Sequence, residues 1–162
     1  MMSRVNTEPD DATRSDATLY ARLAPELVRF ATVLVGPSGA DDLVADAVVA
    51  AFTHPNWSSV EQRRAYLYRA VLNAARQHER ATSRRRFREQ RAAHRESVES
   101  ASVQPELLAA MRRLDPRQRA IVFFTFWQDR TTDDIAADMR ISARTVQREL
   151  ADAKRQLEEA LR

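Results

Sequence analysis

Four side chains near the end of the chain have the chemistry that reads nucleic-acid bases. They are Arg144, Gln147, Arg148 and Arg155. Gln147 and Arg148 follow Arg144 by three and four residues, and Arg155 follows Arg148 by seven, so a helix would place them on one side. Arginine and glutamine hydrogen-bond the edges of guanine and adenine bidentately in the major groove of DNA. The alternative is an ordinary helical hairpin whose polar face is solvated.

A helix-turn-helix pattern would position these side chains. Thr131, followed three residues later by Asp134, forms a capping-box pattern that predicts a helix over 131–139. A three-residue turn ends at a second cap, Ser142, and a longer helix follows over 143–161. Apolar residues fall where two crossed helices would bury them, at Ile135, Met139, Ile141, Val146 and Leu150.

Positive charge is concentrated in the first half of the chain. Residues 63–95 contain eleven arginines against Glu79 and Glu89, although the net charge of the whole chain is only +3. A basic stretch of this kind is the electrostatic footprint of a protein that binds a polyanion.

The composition favours an all-helical protein without enzymatic chemistry. The chain has 162 residues, two glycines, no cysteine and a mean hydropathy of -0.53. No apolar run approaches the roughly 20 residues of a membrane span, and residues 1–16 lack the core of a secretion signal. The three histidines share no ligand spacing, and no nucleophile or phosphate-loop motif is found. We expect no catalytic residue, metal or cofactor, and a cytoplasmic location.

Breaks in the pattern divide the chain into two helical blocks. The first should contain a helix from residue 16 or 18 to 35, with Pro25 predicting a kink, and helices over 40–52 and 60–94. Breaks are expected at 36–39 and 54–59. The second should contain helices over 105–113 and 116–128, whose apolar run at 121–127 is predicted to be core, and then the helix-turn-helix. We assign a disordered acidic tail to 1–16, domains to 17–96 and 105–162, and a flexible linker to 97–104.

A carboxylate cluster lies early in the second predicted helix. Asp41, Asp42 and Asp46 could bind magnesium diphosphate, cap the helix N-terminus, or meet basic residues of a protein partner. The first use needs a second aspartate-rich helix and a large apolar cavity, for which the chain is too short. Between the others we favour the partner surface, with Leu43 and Ala47 packing beside the acids.

The order of these motifs resembles the extracytoplasmic-function sigma factors, the smallest members of the bacterial σ70 family, over residues 19–161. In the second block, 114–119 (LDPRQR) is similar to L-P-x-x-x-R, 134–136 (DIA) to E-I-A, and 142–146 (SARTV) to S-x-G-T-V. In the first block, 42–46 (DLVAD) resembles D-L-V-Q-E, and 66–73 (YLYRAVLN) resembles W-L-x-R-x-x-x-N. The chain departs from the family pattern at Ala45, Tyr66, Gln77, Arg144, Glu149 and Asp152.

This resemblance implies a subunit that binds core RNA polymerase and then selects and opens promoters. Sigma domain 4 (105–162) would read the −35 element as duplex DNA through Ser142, Arg144, Thr145, Gln147, Arg148 and Arg155. Sigma domain 2 (17–96) would capture the melted −10 strand through Asn56, Trp57, Tyr66, Arg69, Asn73, Arg76 and Arg80. Its polymerase-binding helix would offer Asp41, Asp42, Leu43, Asp46 and Ala47. For Trp57, Tyr66 and Asn73, a purely structural role is an equal alternative.

The implied partners are core polymerase, promoter DNA and an anti-sigma factor, with no membrane. Because the linker is expected to be flexible, the two domains would be fixed relative to one another only on polymerase. The main rival is a stand-alone helix-turn-helix regulator, which would dimerise on a two-fold site. A protein-binding adaptor that no longer reads DNA is the third hypothesis, favoured by the acidic residues Glu149 and Asp152.

Overall fold

The computed structural model describes residues 11–89 and 105–162, and these ranges contain helices and no strand. A short 3-10 helix, Trp57–Ser59, lies between the second and third α-helices. The α-helices are α1 (Asp11–Val35), α2 (Pro37–Phe52), α3 (Arg63–Glu89), α4 (Pro105–Met111), α5 (Pro116–Phe126), α6 (Thr132–Met139) and α7 (Ala143–Ala160). The all-α prediction is confirmed, while the predicted linker 97–104 lies outside the described residues.

Helix α1 is longer than the sequence suggested and is continuous through Pro25. It begins at Asp11, so the assignment of residues 11–16 to a disordered tail is wrong. It also continues through Pro25, where we expected a kink or a separate first turn. Pro25 and Ala21 are both exposed. The carbonyl oxygen that loses its helical partner there can therefore be hydrated, which lowers the cost of the proline.

One residue separates α1 from α2. Gly36 has φ 91° and ψ 169°, a region that only glycine occupies readily, and Pro37 then starts α2 with its φ already set for a helix. The amide of Gly36 still donates to the carbonyl of Thr32 at 2.9 Å. The predicted break over 36–39 is therefore a single-residue joint, and α2 packs back against α1.

The C-terminal half is organised around α5. Asp115 caps this helix through a reciprocal pair of hydrogen bonds with Gln118, and the residues from Ile121 to Phe124 are buried. The expectation that the apolar run continues as core to residue 127 is wrong at its end. Phe126 is 57% exposed and Trp127 is 49% exposed, because α5 ends there and the chain turns toward α6.

The two halves share one apolar core. The ring of Phe30 in α1 lies 5.1 Å from those of Tyr68 and Phe123 and 5.2 Å from that of Phe124, measured between centroids. Two of these rings belong to the first half and two to the second. We expected the halves to be placed relative to one another only on a partner. The structure instead packs them together, because α1 and α5 each present large apolar side chains on facing sides.

Arg119 stabilises the same contact between the halves, here called the junction, through hydrogen bonds. Its side chain is only 7% exposed, and its guanidinium donates to the carbonyls of Met111 and Arg112 in its own half. It also donates to the carbonyl of Leu34 at 2.5 Å and to Glu79 at 3.1 Å in the other half. A buried guanidinium is stable only when its donors are satisfied. Here partners from both halves satisfy it.

Substitution of the two glycines by alanine should change the stability of the protein in opposite directions. Gly36→Ala should lower the free energy of unfolding by about 1–3 kcal/mol, because a side chain is strained at this φ and ψ. Gly39 is helical, and an added Cβ there meets only Val35 Cγ2 at 3.8 Å. Gly39→Ala should therefore raise stability by about 0.5–1 kcal/mol. Urea denaturation of both variants measures this, and equal effects of the same sign would contradict it.

Candidate nucleic-acid interface and polymerase-binding helix

The helix-turn-helix begins with the capping box that the sequence predicts. The amide of Asp134 donates to the Thr131 hydroxyl at 3.2 Å, and the Thr131 amide and hydroxyl donate to Asp134 Oδ2 at 3.3 and 2.7 Å. The hydrogen bond from the Thr131 side chain holds the pKa of Asp134 below its usual value. The prediction of this helix start is confirmed.

The turn between α6 and α7 is tight and ends on a second cap. Arg140 adopts the left-handed conformation, with φ 56° and ψ 47°, and its amide closes the end of α6. Ser142 then accepts a hydrogen bond from the Thr145 amide at 3.1 Å, and the two hydroxyls lie 2.8 Å apart. Ser142 and Thr145, both predicted at the DNA interface, therefore also form the first turn of α7.

Helix α7 buries one face and exposes the predicted reading face. Val146 and Ala153 are fully buried, so α7 is fixed in rotation about its own axis. Arg144 and Gln147 are exposed, and the side chains of Arg148 and Arg155 are 67% and 66% exposed. The structure therefore brings the four predicted base-reading side chains to the outside of the second helix, as the pattern indicated.

The two acidic residues of α7 have different surroundings. The Glu149 side chain is only 14% exposed and lies 3.4 Å from the Gln118 amide nitrogen, while its other oxygen meets Arg148 at 3.2 Å. Asp152 pairs with Arg155 at 2.8 Å. Glu149 therefore packs α7 against α5, and both acids are paired with the basic residues beside them. Sequence spacing alone gave no signal of the contact with α5.

Trp57 is not positioned to contact bases. Its ring is 5% exposed and packs on Phe52 and Tyr66, at centroid distances of 4.9 and 5.7 Å. Its Nε1 donates to Asp16 at 2.8 Å, and the same carboxylate accepts from Arg63 at 3.0 Å. The assignment of Trp57 to −10 DNA binding is wrong. The ring anchors the loop before α3 to the beginning of α1.

The other predicted −10 residues follow the outer side of α3 and the loop before it. Asn56, Asn73 and Arg80 are exposed, whereas Tyr66, Arg69 and Arg76 are half-buried. A cleft of about 540 Å³ separates the loop and the start of α3 from α6, and Asn56, Tyr66 and Arg69 are among its lining residues. The structure thus places three of the predicted base-capturing residues in one depression.

Arg69 within this cleft bonds to the helix-turn-helix half. Its Nη1 donates to the carbonyl of Asp138 at 2.6 Å, and its guanidinium lies 5.9 Å from the centre of the Tyr66 ring. Burial, together with the nearby charge of Arg140, lowers the pKa of Arg69 from its ordinary value. No sequence motif predicted this contact, because the partner is a backbone oxygen 69 residues away.

Tyr68 lies at the centre of a polar network between the two halves. Its hydroxyl donates to Glu26 at 2.9 Å and accepts from the Gln128 amide at 2.6 Å. Arg64 donates to both Glu26 and Gln128, at 3.4 and 3.0 Å, and its guanidinium lies 5.1 Å from the centre of the Tyr68 ring. Gln128 belongs to the second half, so this network also joins the halves.

Helix α2 presents an acidic outer face. Asp41, Asp42 and Asp46 are exposed, and Leu43 is partly buried beside them. Ala47 is 5% exposed and packs inside the core of its own half, so its assignment to a partner contact is wrong. Sequence reasoning did not single out Val49, whose side chain is 62% exposed. Val49 follows the exposed residue Ala45 by four positions, so both lie on the outer face of α2.

The described residues contain neither a metal-binding cluster nor a membrane-spanning helix. Over 11–89 and 105–162, no group of three or more histidines, aspartates or glutamates could hold a metal ion, and this gives no support to magnesium diphosphate binding at α2. Nor does any helix in these ranges have the length and apolarity to cross a membrane.

The fold and the exposed face of α7 define a helix-turn-helix transcription protein with a second, arginine-rich helical half. Residues 104–157 match the family model described as sigma-70, region 4. An RNA polymerase sigma-E factor of Streptomyces antibioticus is 32% identical over 92% of this chain and 81% of its own length. The sigma-E factor of Streptomyces coelicolor is 29% identical over 92% of this chain and 82% of its own. The chain belongs to the extracytoplasmic-function sigma factors.

A solved structure has the same fold. The sigma factor RpoE of Bartonella quintana, solved in complex with the anti-sigma factor NepR, aligns with a TM-score of 0.69 at 21% identity. The alignment covers 91% of this chain and 97% of that one. The two-domain sigma architecture is therefore confirmed. The sigma-E relatives and the region 4 match favour the interpretation of the chain as a sigma factor over that of a stand-alone regulator.

Alkaline pH should weaken the fold through Tyr68. Burial is the main cause that raises the pKa of this hydroxyl to about 12. Because the folded state favours the protonated form, the stabilisation is complete below the unfolded pKa near 10 and is lost as pH rises toward 12. We expect the free energy of unfolding to fall over this window in urea titrations. Tyr68→Phe should remove that part of the decline, and an identical decline in the variant would contradict the assignment.

Proposed function

We propose that this sigma factor reads duplex −35 DNA with the exposed face of α7. The observation that carries the proposal is the fixed rotation of α7. Burial of Val146 and Ala153 turns Arg144, Gln147 and Arg148 outward near the helix N-terminus. Helix-turn-helix proteins make their base contacts with this part of the second helix. Arg155, two turns further on, would contact the phosphate backbone.

The −10 element is proposed to bind as a single strand along α3. The cleft beside Tyr66 and Arg69 offers a ring and a guanidinium for stacking, and Asn56 offers an amide for a base edge. Asn73, Arg76 and Arg80 continue along the same helix, where an asparagine can read a base and arginines can follow the backbone. The chain would act here as a binding subunit, without catalysis of its own.

Core RNA polymerase is proposed to dock on α2. Three aspartates, Asp41, Asp42 and Asp46, are exposed on this helix, with Leu43 partly buried and Val49 apolar and exposed nearby. Acidic groups around an apolar contact favour a basic partner surface and speed its association. An anti-sigma factor is a further proposed partner, because the similar Bartonella protein was solved in complex with one.

Transcription with purified core polymerase tests the proposal as a whole. The chain should co-purify with core enzyme as one copy and direct run-off transcripts from a subset of promoters on fragmented genomic DNA. A stand-alone regulator would bind DNA as a dimer without core enzyme. An adaptor would bind core enzyme without changing its promoter choice.

Charge reversal on α2 should abolish polymerase binding. The double variant Asp42→Arg and Asp46→Arg replaces attraction by repulsion on an exposed face, so the fold should survive while co-purification with core enzyme is lost. Circular dichroism checks the fold. The matched control is Glu158→Arg with Glu159→Arg, which makes the same charge change on exposed positions of α7. Undiminished binding of the α2 variant would refute this docking site.

Arg148→Ala and Arg155→Ala should have different effects on DNA binding: the first should change sequence preference, and the second only overall affinity. A bidentate base contact discriminates by about 1–3 kcal/mol, so Arg148→Ala should lower affinity for the −35 element roughly tenfold or more and relax the preference at one or two base pairs. Arg155→Ala should weaken all sequences alike. Selection from a randomised −35 element measures both. An unchanged preferred sequence for Arg148→Ala would show that this residue does not read bases.

A further inference from the structure

We propose that Asp16, near the start of α1, is a positioning residue for promoter opening. Through Trp57 and Arg63 it holds the loop of residues 53–62, here called the capture loop, in the shape that base capture requires. This inference rests on the proposed function, since the capture loop carries Asn56, one of the residues proposed to bind the −10 strand. Asp16 itself would not touch DNA, because its side chain is only 15% exposed and both of its oxygens are bonded within the chain.

One carboxylate holds the capture loop at two points. Asp16 Oδ2 accepts from the indole nitrogen of Trp57 at 2.8 Å, and Oδ1 accepts from Arg63 Nη1 at 3.0 Å. The Arg63 guanidinium also lies 5.1 Å from the centre of the Trp57 ring. Hydrogen bonds to an ionised group are stronger than those between neutral groups. The three side chains therefore fix the middle of the loop, at Trp57, and the beginning of α3, at Arg63.

Trp57 is the side chain through which the capture loop is held. Of residues 53–62, Trp57 is buried, Val60 is partly buried, and the others are exposed. An indole has a single hydrogen to donate, and here Asp16 accepts it. Loss of Asp16 would leave that donor unpaired inside the protein, and the ring could satisfy it only by moving toward water. A change at Asp16 is therefore transmitted to the loop.

Two of the residues proposed to capture bases are coupled to Trp57. Asn56 precedes it directly, and the Asn56 carbonyl accepts from the amide and the hydroxyl of Ser59 at 3.1 and 2.8 Å. Tyr66 packs edge-on against the Trp57 ring, with the centroids 5.7 Å apart. A binding site needs its groups to be held within about 0.5 Å of the productive geometry. The proposed base-edge amide and stacking ring both depend on where Trp57 lies.

The fold as a whole is anchored elsewhere. Helix α1 is held in the core by Leu27, Phe30 and Leu34, which are at most 2% exposed. Phe30 follows Asp16 by 14 positions, which is about 21 Å along a helix at 1.5 Å per residue. Removal of the Asp16 carboxylate should therefore loosen the capture loop while the core and the outer faces of α2 and α7 stay in place.

Hydrogen–deuterium exchange on the free chain tests the effect on the loop. In Asp16→Ala, the backbone amides of residues 53–62 should exchange about tenfold faster or more, whereas those of α2 and α5 should be unchanged. The matched control is Glu158→Ala, which removes a carboxylate from an exposed position of α7. Uniformly faster exchange in Asp16→Ala would show that this residue serves the fold as a whole, and would overturn the inference.

Holoenzyme assembled with core polymerase tests the effect on promoter opening. The DNA is a promoter that the unaltered chain transcribes in the run-off assay, and opening is followed by the permanganate reactivity of its thymines. Asp16→Ala should slow opening roughly tenfold, the order of magnitude that one stacked base contributes to binding. Binding to core enzyme and to −35 duplex should be unchanged, because neither surface includes the capture loop. Equal losses in all three measurements, or undiminished opening, would overturn the inference.

A double-variant cycle tests whether Asp16 acts through Trp57. Trp57→Phe removes the indole donor, keeps an aromatic ring in place and leaves the pair between Asp16 and Arg63 intact. It should therefore slow opening less than Asp16→Ala does. Asp16→Ala with Trp57→Phe should open the promoter no more slowly than Asp16→Ala alone, because both changes break the same contact. Losses that multiply would show that the two side chains act independently, which contradicts the proposal.

If circular dichroism shows that Asp16→Ala does not fold, Asp16→Asn carries the test. The asparagine keeps an oxygen that can accept from Trp57 and loses the charge that holds Arg63. Opening should then fall less steeply, with binding to core enzyme again unchanged, and undiminished opening would refute the role of Asp16. The outcomes are separable from those of the proposed function. A chain that directs no transcription in its unaltered form refutes the proposed function, while the exchange measurement still tests the loop. Normal transcription together with normal opening by Asp16→Ala refutes this inference alone.

Discussion

The packing of Phe30 against aromatic rings from both halves is the contact on which the arrangement of the molecule depends. Helix α1 supplies Phe30, and α5 supplies Phe123 and Phe124. Since these rings are buried together, separating the halves would expose apolar surface to water. Arg119 adds a polar constraint at the same place, because its buried guanidinium is satisfied only by partners from both sides. The core thus links the orientation of α7 to the position of α3.

Arginine has two uses in this chain, and its surroundings separate them. Arg119 and Arg69 bond to carbonyl groups of the other half, and Arg64 bonds to side chains at the junction. Arg144 and Arg148 are exposed on the face of α7 that we propose to read DNA. A count of charged residues does not distinguish these two groups, and it treats every arginine as positive charge available to DNA. Part of the basic charge in the first half is therefore structural, and the surface that meets nucleic acid is smaller than the charge count suggests.

Local patterns predicted the local structure well. The capping box at Thr131, the second cap at Ser142 and the inward face at Val146 are all properties of a few neighbouring residues, and all are confirmed. The sequence did not predict the features that depend on contacts between residues far apart in the chain. Burial of Trp57 depends on Asp16, 41 residues away, and the junction between the halves depends on contacts such as Arg64 with Gln128. Spacing along the chain has no information on such pairs. It therefore left the structural and base-contacting roles of Trp57 equally open, and it did not predict that the two domains pack together in the free chain. The four side chains of α7 and the acids of α2 came from residue type and spacing, whereas the −10 residues came from family resemblance. The roles of all of them stay predictions.

The placement of the two tryptophans gives each half its own optical signal. Trp57 is buried in the first half, where it donates to a carboxylate and packs beside two rings. Trp127 is half exposed in the second, stacked on Phe123 with the planes inclined by 12°. Their emission spectra should differ in wavelength and in accessibility to a soluble quencher, because one indole is shielded from water and the other is not. The unlabelled protein can thus report changes in either half separately.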